Sequence, residues 1–175
     1  MPPTQRLFGP AFILVIVVLY AQSASQAADE YDVVGRPSNL ALQRPASSVP
    51  AECATFFSEV GWGKGRWEGV GDRATELWVE WIDKSCTAQV VYSWGTSRKR
   101  GGNPSFRRVT AKIADGVLTI PKLRVGRIKA KVTYTLSGDG SALMGVFQPA
   151  DASKSRVILV RGSHFPANRA GCVVQ

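Results

Sequence analysis

The chain has 175 residues, is 45% hydrophobic and carries a formal charge of +9. That length suits one domain, and that apolar content can fill a core, which excludes a low-complexity disordered chain. So large a positive charge points to anionic partners, and a single histidine, His164, excludes any catalytic cluster that needs two.

Residues 1–27 have the three-part layout of a secretory signal peptide. One cation, Arg6, precedes an apolar run from Leu7 to Ala21, and small polar residues follow, with Ser25 and Ala27 placed where a signal peptidase reads. The run is shorter than the roughly 20 residues a spanning helix needs, so no transmembrane anchor is expected after processing. Export would place the mature protein in the periplasm or outside the cell. In such an oxidising compartment two of Cys53, Cys86 and Cys172 are expected to pair, with three pairings open. A Cys3His zinc set with His164 is not expected, because no two cysteines have the close spacing of zinc motifs. The sequence calls for no metal and no cofactor.

Residues 28–49 hold Gly35, Pro37 and Pro45 among polar residues and show no periodicity, which reads as a mobile leader. A single domain is expected over 50–175. It opens with a short helix near Pro50–Val60, where Pro50 suits a first turn, Glu52 complements the helix dipole and Gly61 can end it. From Gly65 onward the texture changes to eight short strand-like runs, beginning near Arg66–Val70 and ending near Arg156–Arg161. In one of them Ala130, Val132, Tyr134 and Leu136 alternate with Lys131, Thr133, Thr135 and Ser137. In another Val109, Ala111 and Ile113 alternate with Arg108, Thr110 and Lys112. Such alternation gives each strand one apolar and one wet face. Asp115-Gly116 and Gly138-Asp139-Gly140 are hairpin signals, and no long helical pattern intervenes. The fold class expected is all-β: an eight-stranded antiparallel up-and-down barrel with one short N-terminal helix.

A short helix, then G-x-W opening an eight-stranded meander, resembles the calycin superfamily and the lipocalins above all. The residues that carry the likeness are Gly65, Trp67 and Arg161. The resemblance implies that Trp67 packs at the closed end of the barrel beneath Arg161, and that the mouth is the end bearing the first, third, fifth and seventh connections.

The charges segregate on that meander. The third connection carries Arg98, Lys99 and Arg100, the fifth carries Lys122, Arg124, Arg127 and Lys129, and the other end carries Asp83, Asp115 and Asp139. These seven cations form a basic rim able to attract and orient an anion. Trp81, Tyr92, Trp94 and Tyr134 are candidates to line the interior, either as packing or around a ligand. Two function classes follow: a carrier of a small amphipathic, lipid-like anion, or a basic module with a filled core docking on anionic envelope polysaccharide or lipid. Nucleic acid is not expected, because aromatic residues are sparse in the basic loops. Nor is an enzyme. Ser163 beside His164 has no elbow motif around it, and Glu76 with Glu80 is an ordinary surface pattern.

Overall fold

The structure is a computed structural model that describes residues 33–68, 72–98, 101–150 and 152–165, with the backbone of 167–168. The expected export signal and Cys172 lie outside the described residues. The elements are β1 (Val34–Gly35), α1 (Ala51–Ala54), β2 (Trp62–Arg66), β3 (Ala74–Ile82), β4 (Thr87–Trp94) and β5 (Ser105–Ala114). They continue with β6 (Val117–Val125), β7 (Ile128–Leu136), β8 (Ala142–Pro149), β9 (Ser155–Arg161) and β10 (Ala167–Asn168). Strands β2 to β9 form a closed barrel in sequence order, every neighbouring pair antiparallel. Closure comes from β9 pairing with β2, Trp62 opposite Arg161 and Gly63 opposite Val160. A closed barrel leaves no bare sheet edge on which another chain could add.

Alternation along the strands places the core inside the barrel. Leu77, Val79, Val90, Leu118, Ile120, Val132, Leu143 and Leu159 are all fully buried. Each such side chain contributes about 1.5–3 kcal/mol relative to an exposed position. The Asp115-Gly116 hairpin has φ of 51° and 70°, positive at both central residues as a tight two-residue hairpin requires. Gly65 faces β9 so closely that a Cβ there would lie 2.3 Å from Leu159 Cδ2, so only glycine permits that approach.

The bottom of the barrel is stoppered by the segment before β2. The helix expected over Pro50–Val60 is a single turn, Ala51–Ala54. After it the chain turns so that Phe56, 1% exposed, packs into the core while Val60 stays on the surface. The carbonyl of Phe56 accepts a hydrogen bond from Trp62 Nε1 at 3.0 Å. A disulfide between Cys53 and Cys86 ties this turn to the β3–β4 connection. The pairing removes both thiols from any Cys3His metal set.

The segment that read as a mobile leader is, over residues 33–49, a strap along the outer face of β3. Arg36 pairs with Glu76 at 2.6 Å, Gln43 N donates to Glu80 O at 2.7 Å, and Arg108 Nη2 donates to Asn39 O at 2.8 Å. With the strap on one side and the core on the other, Ala74–Glu80 is buried on both faces. Polar partners for the strap are therefore supplied by Glu76 and Glu80, which alternation had left looking like surface residues. Ser105 supports the same segment: a Cβ on Gly35 would clash with its backbone.

Candidate functional site

The strand order sets the β2–β3, β4–β5, β6–β7 and β8–β9 connections at one end of the barrel. Loops one and three are knitted together there. Arg73 donates to Gly95 O and Gly101 O, and Arg98 Nε lies 3.6 Å from Asp72 Oδ2. Lys99 and Arg100 lie outside the described residues. The fifth connection is much shorter than the loop expected over Pro121–Lys129. Strand β6 runs on through Pro121 to Val125, β7 starts at Ile128, and only Gly126 and Arg127 lie between them. A register shift between Ile120 and Leu123 accommodates Pro121, which cannot donate to the ladder. Lys122, Arg124 and Lys129 consequently stand on the outer face of a projecting hairpin, with Arg127 in its turn. The opposite end holds Asp83, Asp115 and Asp139. Hydrogen bonds from Ser137 and Ser141 hold the Asp139 carboxyl down at about 2.

Three of the four interior candidates point inward. Tyr92, Trp94 and Tyr134 are buried in the core. Trp81 does not join them, because the register shift between Val79 and Trp81 inserts a residue and turns the Trp81 side chain to the outer face opposite Gln89. Trp67 is interior as well, rather than a closing plug. Its Nε1 donates to the Tyr92 hydroxyl at 2.6 Å, and its ring lies 5.3 Å from Phe147 and 6.3 Å from Tyr134. Trp67 and Arg161 are not brought together. The Arg161 guanidinium lies 4.4 Å above Trp62, because β2 begins at Trp62 and sets that residue opposite Arg161. The cation–aromatic pair exists, one tryptophan earlier than expected.

Burial pushes the Tyr92 hydroxyl up to about 12 and the Tyr134 hydroxyl well above its ordinary value. Both are neutral at physiological pH, and the Tyr134 hydroxyl is buried without a hydrogen-bond partner.

Above these rings the barrel wall parts. Strands β4 and β5 pair along eight positions, from Thr87–Lys112 to Trp94–Ser105. Strands β5 and β6 pair at only three, Lys112–Thr119, Ile113–Leu118 and Ala114–Val117. Towards the mouth they separate, and the bent β6–β7 hairpin leaves a pocket of about 670 Å³ lined by Arg73, Trp94, Phe106, Arg107 and Arg124. Arg107 sits directly across from Tyr92. Its Nε is buried and makes no hydrogen bond. Buried donors almost always find partners, so an unsatisfied guanidinium N–H in a pocket is the feature a bound acceptor would complete. Arg73 and Arg124 line the same pocket, and Trp94 with Phe106 supplies apolar surface.

Arg107 was not among the rim candidates, although the signal was present. Val109, Ala111 and Ile113 alternate inward, and one more step of two residues back along the strand reaches Arg107. Arg73 could not have been found this way, since its place depends on how loop one meets loop three. Glu76 and Glu80 share a strand face as the sequence suggested, but each is engaged as a counter-ion, Glu76 by Arg36 and Glu80 by Arg108.

The described residues thus define an all-β closed eight-stranded barrel, consistent with a lipocalin-like fold and compatible with ligand binding. Searches against protein-family models, curated proteins and solved structures find no match to this chain.

Proposed function

We propose that this is an exported, lipocalin-like member of the calycin superfamily that acts as a binding protein rather than an enzyme, holding a small amphipathic anion at a basic barrel mouth. The observation that carries the reading is Arg107, which lines a pocket together with Arg73, Arg124 and the aromatic surface of Trp94 and Phe106, and whose buried Nε beside that pocket has no partner. A carboxylate or phosphate head group would accept from Arg107, with Arg73 and Arg124 adding attraction. Charge-assisted bonds of this kind contribute about 1.5–3 kcal/mol each. The apolar part of the ligand would rest on Trp94 and Phe106 rather than run deep, because Trp67, Tyr92, Tyr134 and Phe147 occupy the interior. Export is supported by the N-terminal pattern and by the Cys53–Cys86 disulfide. No helix among the described residues is long and apolar enough to cross a membrane.

Calorimetric titration with dodecyl phosphate and with inorganic phosphate tests the reading. Arg107→Gln should weaken dodecyl phosphate by roughly 10- to 100-fold, the equivalent of one charged hydrogen bond. Replacing Arg98, Lys99 and Arg100 together with serine should instead slow association at low salt. That difference should fade as the screening length contracts to about 10 Å at 0.1 M salt. Equal affinity of wild type and Arg107→Gln across all salt concentrations would remove the pocket from the mechanism.

A further inference from the structure

The outer face of the β6–β7 hairpin carries a second cationic feature. Arg124 and Lys129 are direct cross-strand partners. Lys122 lies beside them at the register shift, Lys131 follows two residues along β7, and all four are exposed. Like charges set opposite one another on a sheet destabilise it. Among the described residues none of the four has a carboxylate partner. Acidic residues are available elsewhere in the chain, so a repulsive ladder left uncompensated marks a surface whose counter-charge comes from outside.

The surface is also concave. Where β6 bends at Pro121, the strip between the hairpin and the end of β8 becomes a groove of about 750 Å³, with Pro121, Pro149 and Ala150 among its lining and the four cations along it. We propose that this groove binds a linear acidic polysaccharide. Its apolar lining matches the apolar faces of sugar rings, and cations two residues apart on a strand repeat every ~6.8 Å, suiting acid groups spaced along a chain. A flat bilayer cannot enter a concave strip. Among the described residues no aromatic side chain lines the groove, so these supply none of the stacking platforms by which single-stranded nucleic acid is held. The bound chain would relieve the Arg124–Lys129 repulsion, so occupancy and hairpin stability rise together.

The test is calorimetric titration of the full chain with polygalacturonate and with heparin over a range of salt. The variants are Lys129→Ser/Lys131→Ser, a single Lys122→Ser, and the charge-matched control Lys64→Asn/Lys84→Ser. The groove pair should lose about tenfold or more in affinity and show a shallower salt dependence, Lys122→Ser should lose part of that, and the control should change less than about threefold. Equal losses in the groove pair and the control would mean net charge alone and would overturn the proposal. It would also be overturned if wild type bound neither polysaccharide. Losses confined to phosphatidylglycerol vesicles, polyglutamate or single-stranded DNA would have the same effect. Arg124 lines both sites, but Arg107 lines only the mouth pocket and Lys129 and Lys131 only the groove, so Arg107→Gln should change polysaccharide affinity less than about threefold while the groove pair loses it, which separates the two surfaces.

Discussion

Glu76 has no exposed surface, yet it is charged. It accepts from Arg36 at 2.6 Å, from Trp78 Nε1 at 3.2 Å and from Phe165 N at 2.8 Å, and His164 Nδ1 lies 3.4 Å away. Burial works to raise its pKa, but the bonds and charges of His164 and Arg36 outweigh burial and hold it below the ordinary glutamate range. The sign follows directly. A carboxyl whose folded value is depressed adds stability that is complete above its unfolded value of about 4.3 and disappears as pH falls through the folded value. Glu76→Gln should therefore cost about 2 kcal/mol or more at neutral pH, since it leaves Arg36 and His164 facing a neutral amide. The loss should shrink towards pH 3. Urea denaturation at several pH values measures it, and a loss independent of pH would contradict the assignment. His164 is held in place as well, stacked 4.5 Å from Trp78 with its Nε2 against the carbonyl of Val60. Ser163 and His164 were legible as neighbours. Their engagement with the barrel wall was not, because nothing local in "RGSHFP" indicates a carboxylate 88 residues earlier in the chain.

At the scale of elements, the α1 turn depends on its disulfide more than on its own helix. Four residues are far too few for a self-sustaining helix, and no side chain caps its start. Cys53 and Cys86 are 33 residues apart, so the bond should contribute about 3.7 kcal/mol by restricting the unfolded chain. Replacing both cysteines with alanine should lower the melting temperature markedly while far-ultraviolet dichroism keeps its β signature, because the eight barrel strands pair without the turn. Loss of the β signature would show that the stopper is needed for closure. Strand existence and order were readable because apolar alternation and turn residues are local signals. Two element boundaries and one side-chain direction were not. Trp62 looked like a pre-strand residue, Trp81 like an inward one, and Pro121 like the start of a loop. In each case pairing to a neighbouring strand decided the outcome: closure onto Arg161, a residue inserted after Val79, and a register shift that tolerates proline. Period-two reasoning carries a strand only as far as its first bulge.

For the whole molecule, strand order was legible, and with it which connections share an end of the barrel. The mouth pocket was legible only in part. Arg124 was visible as a charge, but the separation of β5 from β6 that turns charge into a pocket is a property of two strands failing to pair. The strap was invisible, because residues 33–49 have no period and acquire their shape from Glu76, Glu80 and Arg108. That strap has a mechanical meaning. Strand β1 lies parallel to β10, Val34 beside Ala167 and Gly35 beside Asn168, and Arg36 and Phe165 both bond to the one carboxylate of Glu76. Pulling the two ends of the chain apart would slide these parallel strands past each other, loading their bonds in shear, together, instead of unzipping them one at a time. Tension applied through the described ends would then fall on the β1–β10 pair and on β3 through Glu76, the most buried strand of the barrel, before it reached the strands β5 to β8 on the far side.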